Sequence, residues 1–301
     1  MQKTGSAPGG AGPFFPKKMT SKISTMKKTI ATTMTLIALA AAAFTSAPAM
    51  AEKNIVIDGS TTVGPIAKAF ADYYKEKTGI GAAISESGSG NGVKSLINGA
   101  CDIANMSRFM KDSEFKTCVE KGILPVAHVV AFDGLAVVVN PANKVGALTM
   151  AQLADIYTGK IRNWKELGGD DAEIVVISRD TNSGTYETFN ELVLCKNPVV
   201  KGAEYVGSNG QAKTRVASTK NAVAYVGLGF ADDSVKTLSV DGILPSSKTI
   251  VSGKYPIARP LFMFTNKYPK MGTPVYDFVT LHLSEEGREI VRDLGYVPVA
   301  E

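Results

Sequence analysis

Residues 177–186 of the chain read Ile-Ser-Arg-Asp-Thr-Asn-Ser-Gly-Thr-Tyr. They follow the apolar residues 174–177, which predict a strand, and they lead into a stretch with helical patterning. Free backbone N–H groups at the start of a helix, the guanidinium of Arg179 and the open backbone at Gly184 can together hold an oxyanion. An ordinary strand-to-helix turn capped by Ser183 explains the same residues.

The same order of strand, oxygen-rich turn and helix occurs three more times. Residues 54–58, 81–85 and 101–106 predict short strands, and each precedes such a turn and a helix. Ligands of open α/β sheets lie at the carboxyl ends of the strands, where such turns meet. The four turns carry the hydroxyl and arginine side chains of Thr61, Thr62, Ser87, Ser89, Ser107, Arg108, Arg179, Ser183 and Thr185. Four such junctions argue for convergence on one anion site.

Two long apolar stretches, residues 126–140 and 257–265, predict crossings between two α/β lobes. The first stretch is interrupted at Asp133 and Gly134, which predicts two strand segments. We expect the ligand cleft to lie between the lobes, with the crossing strands beneath it as hinges. The predicted lobes comprise residues 52–135 with 258–301, and residues 136–257.

Several local signals place helices and core residues. Pro65 suits the first turn of a helix, and Ile66, Ala69, Phe70 and Tyr73 follow at helical spacing, which predicts one core face.

Three signals later in the chain are also local. A capping box at residues 149–152 predicts a helix start. His128, within the first apolar stretch, is predicted to be a packed strand residue, and Trp164 a packing anchor.

Residues 1–51 have the features of a signal peptide. They contain six lysines and no aspartate, glutamate or arginine. A basic stretch at residues 26–28, an apolar run at 30–44 and the small-x-small motif at 49–51 predict cleavage after Ala51 and a periplasmic location. The alternative is a membrane anchor, but an apolar run of roughly 15 residues is short for a span, which needs about 20.

Removal of that segment changes the charge balance. The chain has 33 basic and 28 acidic residues, and subtracting the six lysines leaves 27 basic residues. The mature chain is therefore almost neutral, which argues against nucleic acid as a partner. Residues 1–25 precede the signal and are excluded from the fold, with Met1 and Met26 both open as the start.

Other chemistries lack the residues they need. Three cysteines and two histidines, with no C-x-x-C pair, argue against a metal site, and the glycine-rich turn at residues 87–92 lacks a nucleotide-binding fingerprint, so we expect no cofactor. Cys101 and Cys118 are candidates for a disulfide in an oxidising compartment, with two buried thiols as the alternative.

The mature chain as a whole resembles the phosphate-binding proteins of bacterial ABC transporters, which belong to the type II periplasmic binding-protein class. Five segments carry the resemblance: residues 58–63, 87–93, 102–108, 148–164 and 178–185. The resemblance implies a protein that binds inorganic phosphate and delivers it to a membrane permease, and we expect it to be a monomer. It implies phosphate contacts from Thr61, Thr62, Ser89, Arg108, Arg179, Ser183, Gly184 and Thr185. Ser60, Ser87, Ser107 and Asp58 are weaker candidates.

The chain departs from part of this family at Arg108. Some members carry an aspartate there, and that carboxylate accepts a proton from phosphate. Asp58 and Asp180 are the nearby candidates for this role here, and we hypothesise that Asp58 or a backbone carbonyl near the first turn performs it.

Two other functions remain open. A binder of sulfate, molybdate or tungstate shares the fold. A phosphatase or serine hydrolase is a further alternative, but the chain has no G-x-S-x-G elbow and only His128 and His282 as imidazole bases.

Overall fold

The computed structural model describes residues 54–299. The predicted signal peptide, its cleavage site and the segment before it lie outside these residues. Between residues 54 and 299, no helix is long and apolar enough to cross a membrane.

The chain alternates strands and helices, as the sequence predicts for an α/β fold. The strands are β1 (Ile55–Gly59), β2 (Ala82–Ser85), β3 (Ile103–Met106), β4 (Pro125–Val139), β5 (Ala147–Leu148), β6 (Val175–Arg179), β7 (Glu204–Val206), β8 (Ala222–Gly227), β9 (Lys236–Thr237), β10 (Ser239–Val240) and β11 (Ala258–Asn266). The helices are α1 (Gly64–Thr78), α2 (Ser89–Ile97), α3 (Asp112–Glu120), α4 (Met150–Thr158), α5 (Gly184–Leu192), α6 (Asn209–Ala217), α7 (Ser247–Val251), α8 (Pro274–Thr280) and α9 (Glu285–Asp293).

One mixed sheet organises the described residues. Its strand order is β2-β1-β3-β11-β4-β8-β6-β7, with β9 paired to β4 and a separate pair of β5 and β10. The outer strands of each side are parallel, while β4 and β11 run antiparallel to their neighbours. We call β1, β2, β3, β11 and the beginning of β4, with α1, α2, α3 and the turns before them, the first half. The second half comprises β6, β7, β8 and the end of β4, with α4, α5, α6 and the turns before them.

The strand β4 links the two halves, and here the prediction of two strand segments is wrong. Residues 125–139 form one continuous strand through Asp133 and Gly134. The strand changes partner instead: residues up to Gly134 pair with β11, and those from Leu135 pair with β8. The charge of Asp133 does not break the strand because the carboxylate has buried partners, described below.

Helices cover both faces of each half, so successive strand residues enter different cores. Ile103 packs with the α1 core, whereas its neighbour Ala104 packs with residues of α2 and α3. Val137 and Val138 separate in the same way in the second half. Burial on both faces explains why these strands are continuous apolar runs.

Two of the four residues predicted to form the core face of α1 are wrong. The buried residues include Ile66, Phe70 and Tyr74, while Ala69 and Tyr73 are half-buried. Residues spaced by four lie along one side of a helix, and the alanines at 67 and 71 complete that side because small residues allow the helix to approach the sheet.

Other local predictions are confirmed. Thr149 caps α4 through a complete capping box. Trp164 is buried in the second-half core and donates its indole N–H to the carbonyl of Asn221 at 2.9 Å. His128 is buried within β4, with its Nε2 2.9 Å from Thr265 Oγ1. Cys101 and Cys118 are free thiols, buried in the core of the first half, so the alternative of two thiols is correct.

Candidate anion-binding site

The four predicted turns follow β1, β2, β3 and β6 and meet at the carboxyl ends of these strands, between the two halves of the sheet. Thr62 Oγ1, after β1, lies 3.0 Å from Thr185 Oγ1 at the start of α5. Ser89 Oγ, which starts α2, lies 3.4 Å from Ser107 Oγ after β3. The structure therefore brings hydroxyl groups from both halves into one buried cluster, as the sequence predicts.

Glycine makes the close approach of α5 possible. A Cβ atom at Gly184 would lie 2.5 Å from Ser89 Oγ and 2.6 Å from Ser107 Oγ, so a side chain there would force both serines or α5 to shift. Ser183 caps the helix by accepting a hydrogen bond from the backbone N–H of Tyr186 at 3.2 Å. The cap uses one of the N–H groups that a helix N-terminus leaves without an intrahelical partner, and such termini are typical anion-binding positions.

Arg179 is almost fully buried at the end of β6, with 1% of its surface exposed. It donates to the carbonyls of Val206 at 3.1 Å and Gly207 at 2.8 Å, and to Thr61 Oγ1 at 3.3 Å. Burial lowers the pKa of Arg179 to about 10, which leaves it charged at neutral pH. Its Nη1 has no hydrogen-bond partner among the described residues, although a buried donor without an acceptor is costly. An anion oxygen would supply that acceptor.

Two residues that the sequence did not single out, Asn209 and Arg259, complete the cluster. Asn209, at the start of α6, donates its amide hydrogens to Thr61 Oγ1 at 3.1 Å and to Thr62 Oγ1 at 2.9 Å. Arg259 of β11 donates to Thr62 Oγ1 at 3.4 Å and Thr185 Oγ1 at 3.0 Å. Both residues are fully or almost fully buried.

These donors fix the polarity of the hydroxyl groups. A threonine oxygen has two lone pairs, and in Thr61 both are used by guanidinium and amide N–H groups, which cannot accept a hydrogen bond. The Thr61 hydroxyl must then donate its own hydrogen. Thr62 and Thr185 share one hydrogen bond in which either can be the donor, so the other hydroxyl of this pair keeps a hydrogen to donate. The cluster presents donors to an anion with unprotonated oxygens.

A buried ion pair supports Arg259 from beneath. Its Nε and Nη2 donate to Asp133 Oδ2 at 3.1 and 2.9 Å, and Asp133 Oδ1 accepts from the backbone N–H of Leu228 at 2.9 Å. Burial raises the pKa of Asp133 and lowers that of Arg259, because water is excluded from both groups, while their mutual attraction opposes both changes. The sequence contained a signal for this pair, because Asp133 is the single acidic residue of β4 and Arg259 is the single basic residue of β11.

Arg108, which the sequence predicts to contact phosphate, is paired with carboxylates in the structure. Its guanidinium makes two hydrogen bonds of 2.8 Å to Glu114, one of 2.9 Å to the carbonyl of Phe109, and an ion pair with Glu187. Nη1 and Nη2 are thus hydrogen-bonded, while Nε faces Glu187 in the ion pair without forming a hydrogen bond. Arg108 therefore lies beside the cluster as a paired residue, since α3 brings Glu114 to it and α5 brings Glu187.

The weaker candidates have separate roles. Asp58 accepts hydrogen bonds from Ser87 at 2.6 Å and Ser95 at 2.5 Å. Burial acts to raise the pKa of Asp58, but these hydrogen bonds outweigh it, and its pKa lies below the ordinary value. Ser60 Oγ accepts the backbone N–H of Thr62 at 3.1 Å, which shapes the first turn.

The second candidate proton acceptor, Asp180, also has a local partner. One oxygen of its carboxylate accepts the backbone N–H of Asn182 at 2.8 Å, so it stabilises the turn before α5. Within residues 54–299, no group of three or more His, Cys, Asp or Glu side chains is placed to hold a metal ion.

Residues 42–286 match the model of the PBP superfamily domain. The chain is 31% identical over 297 residues to Protein SphX of Synechococcus elongatus, an alignment that covers 92% of this chain and 88% of SphX. It is 35% identical over 264 residues to the phosphate-binding protein PstS of Borreliella burgdorferi, covering 82% of this chain and 91% of that protein.

Solved structures give a similar result. A putative phosphate ABC transporter substrate-binding protein with bound phosphate, from Clostridium perfringens, is 34% identical and superposes with a TM-score of 0.75 over 82% of this chain and 100% of its own. An ABC-type phosphate transport receptor from Vibrio cholerae is 33% identical, with a TM-score of 0.67 over 81% of this chain and 99% of its own.

Proposed function

This chain belongs to the PBP superfamily and, within it, to the phosphate-binding proteins, and from that premise we propose that it captures inorganic phosphate and delivers it to the permease of an ABC transporter. Its fold is the two-lobed type II periplasmic binding-protein fold. The protein is an extracytoplasmic binding component of a transporter, and binding rather than catalysis is its role.

The observation that carries this proposal is the buried donor cluster between the two halves. The hydroxyl of Thr61 and one hydroxyl of the Thr62–Thr185 pair have hydrogens to donate, and Nη1 of Arg179 lacks an acceptor. Together they offer charge and hydrogen bonds to a small tetrahedral anion. Phosphate oxygens fit this demand, and Ser89, Ser183 and Gly184 line the same space.

Neither histidine of the chain lies at this cluster, so an imidazole base for catalysis is missing there. His128 is bonded to Thr265, and His282 Nδ1 lies 2.8 Å from the carbonyl of Val279. Burial lowers the pKa of His128 to about 4, with a smaller contribution from His282, so it is neutral at pH 7. A nucleophilic hydroxyl needs a base within hydrogen-bond reach, which favours binding over a hydrolase.

The remaining features belong to the same proposal. Residues 52–135 with 258–301 form one lobe and residues 136–257 the other, and the lobes close on the anion. Cleavage after Ala51 releases a monomer into the periplasm, where it meets the permease. The proton on phosphate is accepted by Asp58 or by a backbone carbonyl near the first turn.

Calorimetric titration of anion-stripped protein tests this function. We expect phosphate to bind and sulfate and molybdate to bind far more weakly. Arg179→Ala should weaken phosphate binding by roughly 30-fold or more, because it removes a charge-assisted pair from a buried site. Arg215→Ala, on the exposed side of α6, is the matched control and should leave binding unchanged. If sulfate and phosphate bind equally well, the ligand of this protein is an oxyanion in general rather than phosphate.

A further inference from the structure

Glu187 on α5 is an acidic residue of the second half that is held by two basic residues of the first half. It forms an ion pair with Arg108, which follows β3, and a second with Lys111 at 2.7 Å, at the start of α3. Arg108 and Glu187 side chains are 8% and 11% exposed, so water screens this contact weakly. The neighbouring Thr188 also reaches across, to the carbonyl of Ser107 at 3.4 Å.

The charges of this group balance without an anion. Arg108 and Lys111 supply two positive charges, and Glu114 and Glu187 supply two negative ones. Arg108 also has its Nη1 and Nη2 bonded to Glu114. Nε of Arg108 and Nη1 of Arg179 both lack a hydrogen-bond partner among the described residues, but Nε of Arg108 faces the carboxylate of Glu187 in the ion pair.

We propose that Glu187 is a positioning residue that latches the two halves over the anion site by pairing with Arg108 and Lys111. The latch can form only while the halves are in contact, because its members belong to different halves. It therefore stabilises the closed state without touching the anion. Breaking it should speed anion release more than it slows capture, since capture begins from the open state.

The inference rests on the proposed function for its ligand, and three substitutions test it. Glu187→Gln removes the charge that crosses between the halves and keeps the shape of the side chain. Lys111→Gln removes the more exposed partner of Glu187, at a site where folding is not at risk. Glu114→Gln is the matched control, because it takes a carboxylate from the same Arg108 but only within the first half.

Phosphate dissociation rates come from stopped-flow mixing with an excess of a phosphate trap. We expect Glu187→Gln to release phosphate about tenfold faster with little change in association rate, and Lys111→Gln to show a smaller change in the same direction. Glu114→Gln should stay within about twofold of the parent, and Glu187→Asp should recover part of the loss. A residue with a merely structural role would lower the unfolding temperature without this selective change in release.

X-ray scattering of phosphate-free protein supplies a readout that does not depend on phosphate. The radius of gyration of Glu187→Gln should exceed that of the parent, because the open state becomes more populated. The latch proposal is wrong if Glu187→Gln has the same radius of gyration as the parent. It is also wrong if Glu187→Gln binds phosphate at least as tightly as the parent while Arg108→Ala abolishes binding, because Arg108 would then be a ligand contact. Absence of phosphate binding by the parent would refute the proposed function and leave the scattering result to decide the latch.

Discussion

Replacing Asp133 by asparagine should destabilise this protein far more than a change of one atom suggests. The Asp133 and Arg259 side chains are 0% and 4% exposed, so neither charge has access to water. In Asp133→Asn the amide loses the negative charge. It must also either turn its NH₂ toward Arg259, which only donates, or lose the N–H of Leu228. Removal of one partner of a buried ion pair costs about 3 to 5 kcal/mol.

The control is a surface pair of the same kind. Glu204 and Arg215 form hydrogen bonds of 2.6 and 2.8 Å, but their side chains are 40% and 41% exposed. Glu204→Gln should therefore cost less than about 1 kcal/mol. The double variant Asp133→Asn with Arg259→Met should be more stable than Asp133→Asn alone, because it removes the charge that would otherwise stay buried without a partner.

Urea unfolding at pH 7 in phosphate-free buffer measures these free energies. Anion must be stripped first, since a ligand that binds only the folded state adds to the apparent stability. The reasoning is refuted if Asp133→Asn and Glu204→Gln lower the free energy of unfolding by the same small amount.

Acid should destabilise the protein partly through His128, because the pKa of this residue is about 4 in the folded protein and 6.5 ordinarily. The contribution of neutral His128 to folding stability is complete above pH 6.5 and is lost as the pH falls toward 4. Urea unfolding of His128→Gln should accordingly show a smaller loss of stability over that window, and an identical pH profile would contradict the assignment. Thiol titration should find one reactive group in the native protein, the exposed Cys195, and three after denaturation. Burial raises the pKa of the Cys101 thiol to about 12 and raises that of Cys118, so a native count of three would show that these thiols are accessible.

Much of the site could be predicted because its signals are local. Glycine, serine and threonine at a strand-to-helix junction determine a turn and a cap whatever the rest of the chain does, and the structure brings Thr61, Thr62, Ser89 and Thr185 together as expected. Boundaries of the strands moved by only a few residues for the same reason.

What the sequence could not provide was the pairing of distant charges. Glu187, which pairs with Arg108, lies far along the chain and is placed beside it by tertiary packing. Asn209 and Arg259 were missed because their function depends on the hydroxyl groups they contact rather than on any pattern around them. Glu114, six residues after Arg108, was the one nearby warning that this arginine has a partner.

The position of β11 between β3 and β4 affects how the chain reaches its final structure. Met106 of β3 pairs with Phe262 of β11, so the first half lacks an internal strand until the ribosome has made residues far beyond it. The strands of the second half are instead contiguous in sequence, from the end of β4 to β8. Contacts between residues so far apart slow folding, because a long loop must close before they form. A nascent chain of this topology stays incompletely folded until its synthesis is nearly finished.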